Sequence, residues 1–209
     1  MGSVICQLTV SLDGFVAGPD QRPDEPLGTG GERLHEWAFA GDAVPAVDAD
    51  LASRHGDGVG AYIMGRNMFA SGRGEWDLDW HGWWGEDPPY HVPVYVLTHY
   101  PRASLSMDGG TVFHFVTDGI EPALARAREA AGPANVQISG GADTARQYLR
   151  AGLVDQLYLH VTPLVVAAGE RLWDGLDDMR FEPFEVTPSP AVTHVRYRVL
   201  GGGEREARD

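Results

Sequence analysis

The sequence predicts one α/β domain built on a mixed sheet, and three observations lead there. Runs with the two-residue period of strands alternate with runs of helical period. The chain closes on two strand-like runs, Phe181 to Val186 and Ala191 to Leu200, with no helical pattern between them, which predicts an antiparallel pair. The 209 residues, 43% apolar and 22% charged, suit one packed domain. Residues 1–200 are expected to form that domain and 201–209 a polar, frayed tail.

The elements follow in order. Val4, Cys6, Leu8 and Val10 alternate with Gln7 and Thr9, the pattern of a strand with unlike faces. Residues 11–20 carry two glycines and a Pro-Asp pair and read as a loop, and the Gly- and Pro-rich stretch 21–33 reads as a mobile one. Leu34 to Phe39 and Val44 to His55 read as two short helices. Ala61 to Met64 is a short strand, and a helix can start at Gly65-Arg66-Asn67. Residues 72–91 hold Trp76, Trp80, Trp83 and Trp84 without a clear period; they suit a ligand cover, a core plug or a dimer face. Val92 to Thr98 and Thr111 to Thr117 are strands, and Ile120 to Ala131 is a strongly patterned helix. Val136 to Ile138 leads through Ser139-Gly140-Gly141 into a helix ending near Ala151. Leu153 to Val166 reads as one long strand.

Composition narrows the function. No stretch approaches the roughly 18 apolar residues of a membrane span. Met1 runs straight into a strand pattern without a basic segment and apolar run, which predicts a cytoplasmic protein. A single cysteine, Cys6, excludes an internal disulfide and a Cys-rich zinc site, and its place in an apolar strand makes it a packing residue. All sixteen basic residues are Arg, so a Schiff-base lysine and a P-loop lysine are excluded. A net charge of −14 argues against nucleic acid as a partner. Any anionic cofactor must then be held by local donors, such as helix N-termini and a placed Arg.

Two strand-to-helix junctions meet that need. Gly65, Arg66 and Asn67 would put free N–H groups and a guanidinium at one helix start, although a Gly-assisted turn with a solvated Arg accounts for them as well. Ser139, Gly140, Gly141 and Ala142 open the other helix, with Thr144 in its first turn. Paired glycines let the backbone approach a pyrophosphate, or simply make a tight turn. The spacing is not G-x-G-x-x-G, so this is no standard Rossmann fingerprint. Asp13, just past the first strand, suits either a substrate-facing carboxylate or an Asx-turn. The histidines show no H-E-x-x-H spacing, and His91 and His99 flank a strand without carboxylates nearby, so no metal site is expected. A G-x-S-x-G elbow is absent.

Taken in order, certain segments resemble the dihydrofolate reductase superfamily, in particular its bacterial branch sharing the C-terminal reductase domain of riboflavin biosynthesis. They are Thr9 to Ala17, Ile63-Met64-Gly65-Arg66, Asp87 to His99, Gly140-Gly141-Ala142, Ala151 to Leu157, and Thr162-Pro163-Leu164 through Gly169-Glu170-Arg171-Leu172-Trp173. The resemblance spans roughly residues 3 to 199. It implies a three-layer sandwich with a mixed, mostly parallel sheet of about eight strands, and NADPH lying across the sheet's C-terminal edge. By the same resemblance, Arg66 and Asn67 with Thr98 and His99 surround the adenosine 2′-phosphate. Ser139, Gly140, Gly141 and Ala142 hold the pyrophosphate with Thr144 nearby, Gly65 lies at the turn beside Arg66, and Val16 and Ala17 border the nicotinamide. Asp13 matches an aspartate that faces the substrate, and it or water supplies the proton.

The sequence departs from the family at two places. Val165-Val166-Ala167-Ala168-Gly169 stands where relatives carry a longer glycine run, and the first-helix acid of dihydrofolate reductase has only Glu32 and Glu36 as candidates. The expected activity is NADPH-dependent reduction of a small polar heterocycle or carbonyl compound by a homodimer. A true dihydrofolate reductase and a non-catalytic NADP(H)-binding protein are the rivals.

Overall fold

The computed structural model describes residues 2–202 except 40 and 73. From the N-terminus come β1 (Val4–Ser11), β2 (Phe15–Ala17), a 3-10 turn at Gly31–His35, α1 (Glu36–Phe39) and α2 (Ala46–Ser53). Next are β3 (Val59–Gly65), α3 (Arg66–Phe69), β4 (Pro93–Leu97), β5 (Leu105–Ser106), β6 (Val112–Val116) and α4 (Ile120–Ala131). The chain ends with β7 (Asn135–Ile138), α5 (Ala142–Arg150), β8 (Gln156–Thr162), β9 (Glu170–Arg171), β10 (Met179–Pro188) and β11 (Thr193–Gly202). Nine strands form one sheet in the order β10-β11-β8-β1-β7-β3-β4-β6-β5. The six from β8 to β6 are parallel, while the pairs β10–β11, β11–β8 and β6–β5 are antiparallel. This is the mixed, mostly parallel sheet expected, with nine strands in place of about eight.

Helices α4 and α5 cover one face. Ala123, Leu124, Ala127 and Ala131 of α4 and Ala142, Ala145, Tyr148 and Leu149 of α5 are buried at helical spacing. They meet Val4, Cys6, Leu8 and Val10 of β1, Ala61 and Ile63 of β3, and Val136 and Ile138 of β7 in the main core. Each aliphatic side chain fully buried there contributes about 1.5–3 kcal/mol relative to exposure. Glycines bracket α4: Gly119 and Gly132 both adopt positive φ, and the Gly132 N–H closes the last turn on Arg128.

The other face is divided. Over β3, β4 and β6, the chain buries Tyr62, Met64, Val94, Val96 and Phe113 beneath Phe69 of α3. Trp76, Trp80, Trp84 and Tyr90 pack against this second core, so the Trp-rich stretch is a core plug whose rings are half-buried. The indoles of Trp76 and Trp80 donate to the carbonyls of Tyr100 and Phe69, both at 2.8 Å. Over β1, β8 and β11 lie the buried polar side chains Thr9, His160 and His194, covered by Trp37 of α1, with Asp48 of α2 bonded to His194.

Several boundaries differ from expectation. The long strand read at 153–166 stops at Thr162, because the next residues leave the sheet: Leu164 accepts from Leu12 N–H and Ala167 adopts φ 69°. Residues 15–17, read as loop, are β2, which pairs with β9 in a small second sheet. Leu34 to Phe39 splits into a 3-10 turn and the single helical turn α1, and the second helix starts only at Ala46. Stretch 21–33 is held by backbone bonds, Gly18 N–H to Leu27 and Thr29 N–H to Pro19. Strand β10 outruns the expected 181–186 and tolerates Pro183 because it is an edge strand. Gly201 and Gly202 extend β11, while the rest of the expected tail, 203–209, lies outside the described residues.

Candidate active site

Parallel strands β1, β3, β4 and β7 end at one edge of the sheet, where open α/β sheets bind ligands. Because β7 lies between β1 and β3, the two glycine junctions meet there. Gly65 N–H donates to Gly140 O at 2.7 Å, and Ser139 N–H donates to Ile63 O at 3.0 Å. Gly65 is needed for this fit, since a Cβ on it would collide with the hydroxyl of Thr144 in the first turn of α5. The Gly140–Gly141 peptide is cis; Gly140 has φ 107°, and a Cβ there would lie 2.9 Å from a Leu8 methyl. Gly141 differs. It caps α5 with φ −69°, is exposed, and a Cβ on it would meet no described atom within 4 Å. No side chain caps α5, so its first N–H groups have no side-chain acceptor among the described residues.

Arg66 has a more particular setting than its sequence context suggests. Helix α3 is one turn of four residues, too short to add much dipole, so any hold on phosphate there rests on the side chain. Its guanidinium lies 3.9 Å over the Trp76 ring and 5.3 Å from that of Tyr100. Two of its N–H groups donate to the Gly74 and Glu75 carbonyls at 2.6 and 3.2 Å, while the buried Nε finds no partner among the described residues. Thr98 is buried, and its hydroxyl accepts the Tyr100 N–H at 3.1 Å, shaping the turn that brings Tyr100 beside Arg66. His99 in that turn is exposed.

Asn67 lines a polar cleft of about 480 Å³, shared with Gly18, Pro19, Asp20, Gln21, Gly169 and Glu170. Strands β2 and β9 build its wall, and Gly169 approaches so closely that a Cβ would strike the Ala17 carbonyl. Val16 and Ala17 are buried, Val16 within the main core, so the wall facing the cleft begins at Gly18.

Asp13 is bound on both oxygens. Oδ1 accepts from the Ser11 hydroxyl at 2.6 Å and from Val166 N–H at 3.1 Å, and Oδ2 accepts from Ala167 N–H at 2.7 Å. The Ser11 hydroxyl foremost, with those backbone donors, outweighs desolvation and pulls the carboxyl down to about 2. At neutral pH Asp13 is a carboxylate that ties the 163–169 loop to the end of β1.

The sequence model of the RibD C-terminal domain family matches residues 2–195. The chain belongs to this family. No curated protein matches it in sequence. Among solved structures it is similar to a Shewanella sp. PV-4 protein named for riboflavin biosynthesis, with 20% identity, TM-score 0.61, and coverage of 94% of this chain and 98% of that one. It is also similar to the Thermotoga maritima diaminohydroxyphosphoribosylaminopyrimidine deaminase/5-amino-6-(5-phosphoribosylamino)uracil reductase, at 12% identity and TM-score 0.57, covering 95% of this chain and 57% of the other. A third is Enterococcus faecalis dihydrofolate reductase complexed with NADP(H) and RAB-propyl, at 14% identity and TM-score 0.55, covering 95% and 97%. At these identities the likeness establishes the dihydrofolate reductase-like fold.

In this RibD C-terminal domain, the residues singled out from sequence fall into groups. Gly65, Ser139, Gly140, Gly141, Ala142 and Thr144 come together at one junction, Arg66 joins Thr98 through Tyr100, and Asn67 joins Gly18 and Gly169 across the cleft. Asp13 points into the 166–167 backbone. The pattern of residue types points to neither Tyr100 beside Arg66 nor the 18–21 loop at the cleft, and it leaves the place of Trp76 among a ligand cover, a core plug and a dimer face. Gly18 and the Tyr100-Pro101 step were the signals available. No group of three His, Cys, Asp or Glu residues able to hold a metal occurs among the described residues, and none of their helices is long and apolar enough to cross a membrane.

The state of Asp13 gives an expected result. A depressed carboxyl stabilises the fold above its unfolded value of 3.8 and loses that contribution as pH falls toward about 2. Asp13→Asn should therefore show its largest stability deficit above pH ~5, with the gap to wild type narrowing below pH ~4. Urea unfolding midpoints of both proteins across that range check it, and a gap that does not change with pH would remove the ionised carboxylate from the loop's support.

Proposed function

We propose that the protein is an NADPH-dependent reductase acting on a small polar heterocyclic or carbonyl substrate, in the manner of 5-amino-6-(5-phosphoribosylamino)uracil reductase. The observation that carries this is the joined junction of Gly65 with Gly140, beside an uncapped α5 and the open space at Gly141. A Cβ would fill that cradle, the condition a closely approaching pyrophosphate requires. The unpartnered Arg66 Nε is a second fit, since a buried donor without a partner costs stability until an acceptor arrives. Family membership supports the same chemistry, as do the reductase name of the Thermotoga protein and the NADP(H) bound to the Enterococcus one.

In this reading Ser139, Gly140, Gly141 and Ala142 hold the pyrophosphate with Thr144 behind them. Arg66, with Asn67, Thr98 and His99, surrounds the 2′-phosphate, and Val16 and Ala17 back the wall at the nicotinamide end. When bound, the nicotinamide supplies hydride. Asp13, ionised and fully engaged, positions the loop that closes the substrate side, and the accompanying proton comes from water. Glu32 and Glu36 are both exposed, so neither offers the enclosed carboxylate that would favour folate as substrate. A homodimer would use edge strand β10, where Phe184 and Val186 are exposed, since the Trp-rich stretch is spent on the protein's own core.

Mixing the protein with NADPH and either the aminouracil ribose phosphate or dihydrofolate tests the proposal. We expect NADPH oxidation with the aminouracil compound or a related heterocycle. Turnover of dihydrofolate alone would make the protein a folate reductase, and binding of NADPH without oxidation across a panel of heterocycles and carbonyls would make it a binding protein.

A further inference from the structure

Helices α1 and α2 each bury a single residue, Trp37 and Asp48, and both belong to one polar cluster on the sheet. Asp48 Oδ1 lies 2.9 Å from His194 Nε2 of β11, and Asp48 Oδ2 accepts from the Ser189 hydroxyl at 2.7 Å. The Nδ1 atoms of His194 and His160 are 2.6 Å apart, and His160 Nε2 lies 2.8 Å from the Gln7 side-chain amide of β1. Trp37 covers this chain, its ring 4.5 Å from His160 and 5.1 Å from His194, with its indole N–H on the Thr9 hydroxyl at 3.3 Å. The order of donors follows from the carboxylate outward. His194 donates from Nε2 to Asp48, so in its neutral form Nδ1 accepts; His160 then donates from Nδ1 and accepts from Gln7 at Nε2. Every ring nitrogen is satisfied while His160 is neutral.

We propose that the Asp48–His194–His160–Gln7 chain is a one-proton latch that fastens α1 and α2 to the sheet while His160 is neutral and frees them when His160 is protonated. The 2.6 Å gap between the two Nδ1 atoms holds one proton, and protonating both rings fully would set two N–H groups against each other. Asp48 is bonded to His194 and not to His160, and a proton added at His160 Nε2 would set its N–H against the Gln7 amide N–H that this nitrogen accepts. The other groups turned toward His160 bring no negative charge at neutral pH: His35 from the turn before α1, His55 beyond α2, Arg196 of β11, the Tyr158 ring 4.6 Å away on β8, and Gln7 of β1. Glu36 of α1 is exposed. Burial first, then the facing histidines and Arg196, hold the His160 imidazole well below its usual range. Because neither helix buries an apolar face beyond Trp37, the latch is the main tie between this layer and the sheet.

The sign follows from linkage. A histidine depressed in the closed form takes up a proton on opening at any pH below its free value of about 6.5, so closure is favoured above that pH and weakens below it. Amide hydrogen exchange of residues 46–53 in the whole protein, from pH ~7.5 to ~5, reads the opening constant. In wild type we expect it to rise at least about tenfold per pH unit below pH ~6.5. In His160→Gln, whose amide can still bond His194 but cannot titrate, the slope should fall by one proton, about tenfold per unit. Equal slopes in the two proteins would overturn the latch. Should the variant not fold, ¹⁵N spectra of the wild-type imidazoles decide: His160 should remain a neutral Nδ1–H ring at pH ~5.5, and a His160 titrating near 6.5 in the folded protein would overturn the proposal.

Discussion

Replacing Gly141 with valine is expected to abolish binding of NADPH and NADH alike while leaving the protein folded. The backbone at Gly141 has φ −69°, which any residue adopts, and a side chain there would meet no described atom within 4 Å. The folded state should thus lose no more than the roughly 1 kcal/mol by which a branched residue is a poorer helix cap than glycine. A bound pyrophosphate would have to share that space with two methyl groups. Affinity should fall more than about 100-fold, equivalent to about 2.7 kcal/mol. Both nucleotides should suffer equally, because they share the pyrophosphate. Titration calorimetry beside circular dichroism checks both halves of the expectation, and normal binding by a folded variant would reduce the glycine pair to a packing turn. Gly140→Val is the contrast. With φ 107° and a Leu8 methyl 2.9 Å from the added Cβ, it should damage the fold itself.

Arg66→Ala should weaken NADPH by about 10- to 150-fold and NADH far less. Losing a charge-assisted hydrogen bond to phosphate costs about 1.5–3 kcal/mol, and NADH lacks the 2′-phosphate that would receive it. The structure adds a second consequence. Arg66 also holds the Gly74 and Glu75 carbonyls and stacks on Trp76, so its removal loosens the 72–76 segment. That part of the loss should appear with both nucleotides. The ratio of the two affinities, measured by calorimetry, isolates the phosphate contact. An unchanged ratio would assign Arg66 to the segment alone.

The legible parts of the fold were those written in local pattern. Strand β1 declared itself by the alternation from Val4 to Val10, α4 by its buried Ala and Leu between two glycines, and the edge junctions by Gly65 and Gly140-Gly141. What stayed hidden depends on distant partners. Strand β2 exists because residues 15–17 pair with 170–171, and β8 was overread because Leu164, Val165 and Val166 continue its apolar run. The bond from Leu12 N–H to Leu164 and the tie from Asp13 to the 166–167 backbone take them out of the sheet, and both partners are distant in sequence. Likewise, no spacing could join Asp48 to His194 across 146 residues, or place the Arg66 guanidinium on a tryptophan in a stretch without period.

The same contrast decides the site. Residue types that act through their backbone were readable, since glycines at strand ends announce close approach. Side chains that act through their surroundings were not. In sequence Asp13 suits a substrate-facing carboxylate or an Asx-turn alike, and the three hydrogen bonds on its carboxylate make it an anchor of the 163–169 loop.

The most direct test of the central claim is a calorimetric titration of the wild-type protein with NADPH and, separately, with NADH. The site built on Gly141, α5 and Arg66 predicts saturable binding of one NADPH per chain, at least about tenfold tighter than NADH, the equivalent of about 1.4 kcal/mol from the 2′-phosphate. Absence of saturable binding, or equal affinity for the two nucleotides, would contradict it.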